Sequence, residues 1–137
     1  MKKNLTRTLM LTAAVLAAGA AAYAQVHIGL NATIPFSFKM NGKTLSAGTY
    51  RLGPATMSNS NVLYFRGVKA SVYAIGTHAI GDDQRARLMF RCGDSSGCAL
   101  TEVWDGQGQG WKFAAPRLSA AEKERLAVVY MNRTTAD

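Results

Sequence analysis

The sequence predicts a mainly β protein, a small antiparallel barrel or sandwich of about seven or eight strands with one C-terminal helix. Three observations carry this. From Val26 to Met40 every even position is apolar (Val26, Ile28, Leu30, Ala32, Ile34, Phe36, Phe38, Met40), and the odd positions are His27, Gly29, Asn31, Thr33, Pro35, Ser37 and Lys39. That is the two-residue period of a strand with one buried and one wet face. A second alternation runs from Gln84 to Cys92, and Asn41-Gly42, Gly53-Pro54 and Gly81-Asp82 mark turns between apolar runs.

The first segment reads as an export signal. Lys2, Lys3 and Arg7 precede the apolar run Leu9 to Ala22, and Ala22-Tyr23-Ala24 has the small-x-small form of a cleavage site. The expected division is residues 1–24 as signal peptide and 25–137 as one β domain, with no transmembrane segment and no lipidated Cys after cleavage. Removing 24 of 137 residues leaves 113, and removing three of 16 Lys and Arg leaves 13 against 8 acids. This mild excess suits an anionic surface but carries no nucleic-acid motif, so no nucleic acid is expected as a partner.

Within the domain, Ile34 to Leu52 reads IPFSFKMNGKTLSAGTYRL, a strand, a tight turn at Asn41-Gly42 and a returning strand. Fifteen residues of unbroken strand would reach about 50 Å, too far for this domain, so a bend is expected at Gly29 or Pro35. Gly48 supplies a turn before Tyr50. Val62 to Phe65 and Lys69 to Ile80 follow as strands, the first closed by Gly67 and the second by Gly81-Asp82-Asp83.

In the second alternation Ala86, Leu88, Phe90 and Cys92 share the inner face, and Arg85, Arg87, Met89 and Arg91 share the outer one. Cys92 and Cys98 flank a five-residue turn and are expected to pair in an oxidising compartment, periplasmic or extracellular. Direct opposition of the two cysteines, continued in register, sets Phe90 against Leu100, Leu88 against Glu102 and Ala86 against Trp104. Glu102 then lies on the apolar face. After the flexible turn Asp105 to Gly110, Ser119-Ala120-Ala121-Glu122 has the form of a capping box, which predicts a helix of about three turns bearing Leu126, Val129 and Tyr130.

Taken together, IPFSFKMNGKTLSAGTYRL, ARLMF, LTEVWDGQGQGWKF and SAAEKERLA resemble a family of small signal-bearing bacterial proteins, mostly uncharacterised, with the pattern PFxF, LxAGxY and EVW. Ser46 stands where that family more often has Pro. The resemblance implies an exported β domain and brings no catalytic residues with it.

The chemistry on offer is sparse. A carboxylate at Glu102 between Leu100 and Trp104 would need a partner or a ligand, or a bulge would shift it off the apolar face. His27 and His78 lack metal-ligand spacing, so no metal and no cofactor is expected. Gly106-x-Gly108-x-Gly110 lacks the strand-to-helix setting of a phosphate loop, and G-x-S-x-G is absent. Arg85, Arg87 and Arg91 form a candidate contact for anionic polymer or lipid, or else a solvated face. The leading expectation is a non-enzymatic binding or structural module of the cell envelope or exterior, with an unknown partner. A carrier holding an apolar ligand among Phe36, Phe38, Tyr50, Phe90, Glu102 and Trp104 comes second, and an enzyme using Glu102 as acid or base third.

Overall fold

The computed structural model describes residues 29–56, 59–81 and 85–133. The expected signal peptide, the first residues of the long alternation and part of the turn after Ile80 lie outside these. The described residues are all β, with no helix among them.

The long alternation breaks where its backbone chemistry changes. Strand β1 (Leu30–Ile34) ends at Pro35, which has no N–H to give a ladder, and β2 (Phe38–Met40) begins three residues later. Of the two expected bend positions, Pro35 carries a bend, and Gly29 stands at the very start of the described residues. The turn after β2 has Asn41 at φ 51° and Gly42 at φ 73°, both left-handed, as a two-residue type I′ hairpin requires. The chain returns as β3 (Lys43–Leu45), bends again at Ser46-Ala47, and continues as β4 (Gly48–Thr56). β1 pairs with β4, and β2 with β3, all antiparallel. A single hairpin is thus folded across two sheets, and the Tyr50 hydroxyl donates 2.6 Å to the Ser46 carbonyl to fasten the second bend.

The remaining strands are β5 (Asn59–Arg66), β6 (Ser71–Ile75), β7 (Thr77–Ile80), β8 (Arg87–Gly93), β9 (Gly97–Trp104), β10 (Gln109–Lys112), β11 (Arg125–Tyr130) and β12 (Asn132–Arg133). The first sheet has the order β12-β1-β4-β5-β6. The second has β11-β8-β9-β10-β7, with β2 lying parallel to β9 and carrying β3. Two further runs cross between the sheets. β6 passes through Gly76 into β7, where the Phe113 ring and the Lys112 carbonyl come within 2.9 and 3.2 Å of the space a Cβ would fill. β11 passes through buried Met131 into β12, and the Met131 amide donates to the Ala86 carbonyl. The ladders stop at these crossings, so the sheets do not close into a barrel. Four runs of chain are each cut in two by a bend, which is why the twelve described strands exceed the seven or eight expected.

The inner faces of both sheets meet in one core. Ile34, Phe38, Leu52, Phe65, Leu88, Phe90, Leu100 and Val103 are its largest fully buried side chains, and no polar side chain among the described residues is buried with them. Aromatic edges bind the two sheets. Phe90 meets Phe38 at 5.4 Å and Phe36 at 5.1 Å between ring centres, and Phe38 meets Tyr50 at 5.6 Å, all edge to face.

The expected C-terminal helix is corrected. The Ser119 amide and hydroxyl do donate to Glu122 Oε2, as a capping box begins, but the chain turns once and stops there. Arg125 to Tyr130 then forms β11, antiparallel to β8 from Arg125 opposite Cys92 to Tyr130 opposite Arg87. Val128, Val129 and Tyr130 favour strand over helix, and the edge of β8 offers a ladder that a lone helix could not use. The helical spacing of Leu126, Val129 and Tyr130 hid a two-residue period in which Ala127 and Val129 turn inward.

Replacing Phe90 with Ala removes the ring that Phe36 and Phe38 both contact. The expected cost is about 3–5 kcal/mol of unfolding free energy, read as a lower urea midpoint with an unchanged slope. A loss under about 1 kcal/mol would show that these rings do not share an interior.

Candidate functional site

The site is built outward from the disulfide hairpin. Cys92 and Cys98 are bonded, as expected, with an S–S length of 2.05 Å and Cα atoms 3.9 Å apart, and they face each other in the β8–β9 ladder. Gly97, at φ 75°, takes the left-handed position that ends the tight loop between them. Phe90 lies opposite Leu100, as in-register pairing requires. The next pair, however, is Met89 with Glu102, followed by Leu88 with Val103 and Arg87 with Trp104. Thr101 is the extra residue of a β-bulge, and its hydroxyl donates 3.0 Å to the Met89 carbonyl.

That one residue changes which side chains are inside. Val103 takes the buried position beside Leu88, and Glu102 and Trp104 move to the outer face of the second sheet. The in-register placement of Glu102 on the apolar face is therefore corrected, and the alternative of a bulge that shifts it off that face holds. Its Oε2 instead accepts the Trp104 indole N–H at 2.7 Å, and its ladder partners are Met89 and Lys112.

On this outer face the Trp104 ring is pressed onto backbone. A Cβ on Gly110, its ladder neighbour, or on Gly81 would lie 2.5 Å from indole carbons, so both positions need glycine for the ring to lie there. The Arg87 guanidinium stands 5.6 Å from the indole centre, and that of Arg85 stands 4.6 Å from the Tyr130 ring. Arg91 is used differently, because its guanidinium donates to the Pro116 and Ala115 carbonyls and ties down the segment after β10. Beside Arg87 and Met89 lies a row on β11 consisting of Leu126, Val128 and Tyr130, which are 67%, 44% and 53% exposed.

The structure divides the sequence-derived residues into two groups. Phe36, Phe38, Tyr50 and Phe90 converge inside and pack on one another. Glu102, Trp104, Arg85, Arg87 and Arg91 belong to the outer face of the second sheet. The β11 row is absent from the sequence expectation because its segment has helical spacing; the alternation of Leu126, Val128 and Tyr130 is the signal that could reveal it. No group of three metal-ligating side chains occurs among the described residues, and His78 is set edge-on against Trp111 at 6.0 Å.

A second polar centre lies at the hairpin tip. Glu122 Oε1 accepts from the amides and hydroxyls of Ser95 and Ser96 at 2.6–3.0 Å, and Oε2 accepts from Ser119. The Ser95 hydroxyl, then the backbone amides of Ser119, Ser96 and Ser95, hold this carboxyl far below its usual range. The contact latches the disulfide loop to the segment leading into β11.

Comparison with protein-family models, with curated proteins and with solved structures finds no match to the chain. Among the described residues no helix is long and apolar enough to cross a membrane.

The depressed Glu122 acidity sets a pH signature. Unfolded, this carboxyl titrates near its ordinary 4.5; folded, it stays ionised to far lower pH. Its contribution is therefore complete above the ordinary value and is withdrawn as pH falls below it. The stability gap between the wild type and Glu122→Gln is expected to be constant above about pH 5 and to narrow progressively below that. Urea midpoints measured across this range test it, and a gap that ignores pH would contradict the latch.

Proposed function

We propose that this chain is an exported, non-enzymatic β-sandwich module that docks on an anionic surface of the cell envelope through the outer face of its second sheet. The observation that carries the reading is the exposed row Leu126, Val128 and Tyr130 set beside Arg85 and Arg87. Aliphatic groups and a tyrosine suit the boundary between lipid headgroups and acyl chains, and neighbouring cations are drawn to anionic headgroups. Trp104 and Glu102 support the surface from beneath by fixing where Arg87 stands. The disulfide supports a place in the periplasm or outside the cell. The rings that would line a carrier's pocket spend their faces on each other, which favours a contact outside the core over a ligand within it.

Sedimentation with vesicles tests the reading. The protein is expected to bind vesicles containing anionic phospholipid, to release as salt is raised, and to bind about tenfold or more weakly after Arg87→Glu, since each cation near such a surface contributes roughly 1 kcal/mol. Equal binding to purely zwitterionic vesicles, or no effect of Arg87→Glu, would overturn it.

A further inference from the structure

The outer face of the first sheet carries a line of polar side chains that the core does not need. Reading across the ladder, Asn132 pairs with Asn31, Asn31 with Arg51, Arg51 with Arg66, and Arg66 with Ser71. All five belong to the outward-facing set, because Ala32, Leu52, Phe65 and Val72, next along their strands, are buried. With strands about 4.8 Å apart, the line runs roughly 19 Å straight across the sheet.

Two features of this line point to a ligand. Arg51 and Arg66 are direct cross-strand partners, an arrangement that costs stability through like-charge repulsion. Neither has an acidic side chain within ion-pair distance among the described residues, where the one ion pair joins Arg125 to Asp94. The Arg66 guanidinium stands 5.9 Å from the centre of the Tyr64 ring, and that of Arg51 lies against Gly29. The two cations thus stand on either side of the Gly53–Tyr64 pair, where one anionic group or two along a polymer would gain charge-assisted hydrogen bonds. The second feature is a parallel aromatic row two residues along, in which Gly53 pairs with Tyr64 and Tyr64 with Tyr73. The Tyr64 ring lies on Gly53 so closely that a Cβ there would stand 2.9 Å from it, which lays the ring along the sheet. Tyr73 is 64% exposed, and Tyr64, Arg66, Ser71, Val72 and Tyr73 enclose a shallow hollow of about 210 Å³.

We infer that this face binds a strand of acidic polysaccharide. Arg51 and Arg66 contact carboxylates or sulfates along the polymer, Ser71 and Asn132 contact hydroxyls on the same line, and the exposed Tyr73 receives the apolar face of a sugar ring beside the Tyr64 ring that Arg66 covers. A line of donors beside flat aromatic surfaces fits a linear, ring-bearing anionic polymer better than a membrane plane. Because this face lies on the far side of the core from the second sheet's outer face, a chain that also used the proposed lipid contact would tie polymer to membrane. The polysaccharide inference stands or falls without that contact.

The experiment is a titration of the isotope-labelled protein, followed by amide chemical shifts, with oligogalacturonate, a sulfated oligosaccharide, a neutral glucan of equal length and inorganic phosphate. The inference expects one or both charged oligosaccharides to bind, the two arms separating carboxylate from sulfate, with shifts centred on Arg51, Arg66, Ser71 and Tyr73. Arg51→Ala and Arg66→Ala should each weaken binding about tenfold or more, with the amide spectrum of the free variant otherwise that of the folded protein. Arg85→Ala should leave this affinity unchanged. Equal binding of the neutral glucan, equal binding of phosphate alone, shifts confined to Arg85, Arg87 and Trp104, or no binding of either charged oligosaccharide would overturn it.

Discussion

The structure depends on how one hairpin satisfies its backbone while crossing from sheet to sheet. Between Ile34 and Leu52 the chain must keep every second side chain inside and also bend twice. Pro35 makes the first bend inexpensive by removing an N–H that would otherwise need a partner. At the second, Tyr50 returns a hydrogen bond to the Ser46 carbonyl, as tyrosines at the corners of β domains do. Because both arms bend at matching points, β1 and β4 stay paired in one sheet and β2 and β3 in the other. Phe36, Phe38 and Tyr50 are thereby carried to the plane where the sheets meet, and Phe90 reaches them from the opposite side.

Much of this is legible in the sequence alone. Strict alternation named the buried residues Ile34, Phe38, Tyr50, Leu88 and Phe90 correctly, since a strand with one dry face admits no other pattern. Asn41-Gly42 announced its turn, and Cys92 and Cys98 their bond. The misses share a cause, which is that local pattern does not reveal a residue without a partner. Thr101 looks like any strand residue, yet as a bulge it reverses the face of everything after it, so in-register counting puts Glu102 inside and only the structure locates the bulge that moves it out. The Ser119 to Glu122 motif formed its local hydrogen bonds, but a capping box fixes one turn and leaves the continuation to whatever offers the better ladder. Here the free edge of β8 offered it, a fact of tertiary structure.

The two outer faces differ in kind from the core they enclose. Inside, every described side chain is apolar, so the interior is explained by burial alone. Outside, arrangements appear that stability does not call for. Arg51 opposes Arg66, three hydrophobic side chains of β11 stay wet, and Trp104 is held on two glycines beneath a guanidinium. Natural chains tolerate such features where contact with something else repays them. The proposed contacts lie on these faces and away from the shared interior.

The central claim is that the folded-over hairpin delivers its aromatic rings to a common core. Nuclear Overhauser contacts among side-chain ring protons test it most directly. The account predicts strong contacts from Phe90 to both Phe36 and Phe38, and from Phe38 to Tyr50. Contacts of Phe36 and Phe38 only with sequence neighbours, and none to Phe90, would mean that the hairpin does not cross between the sheets, and the account would fail.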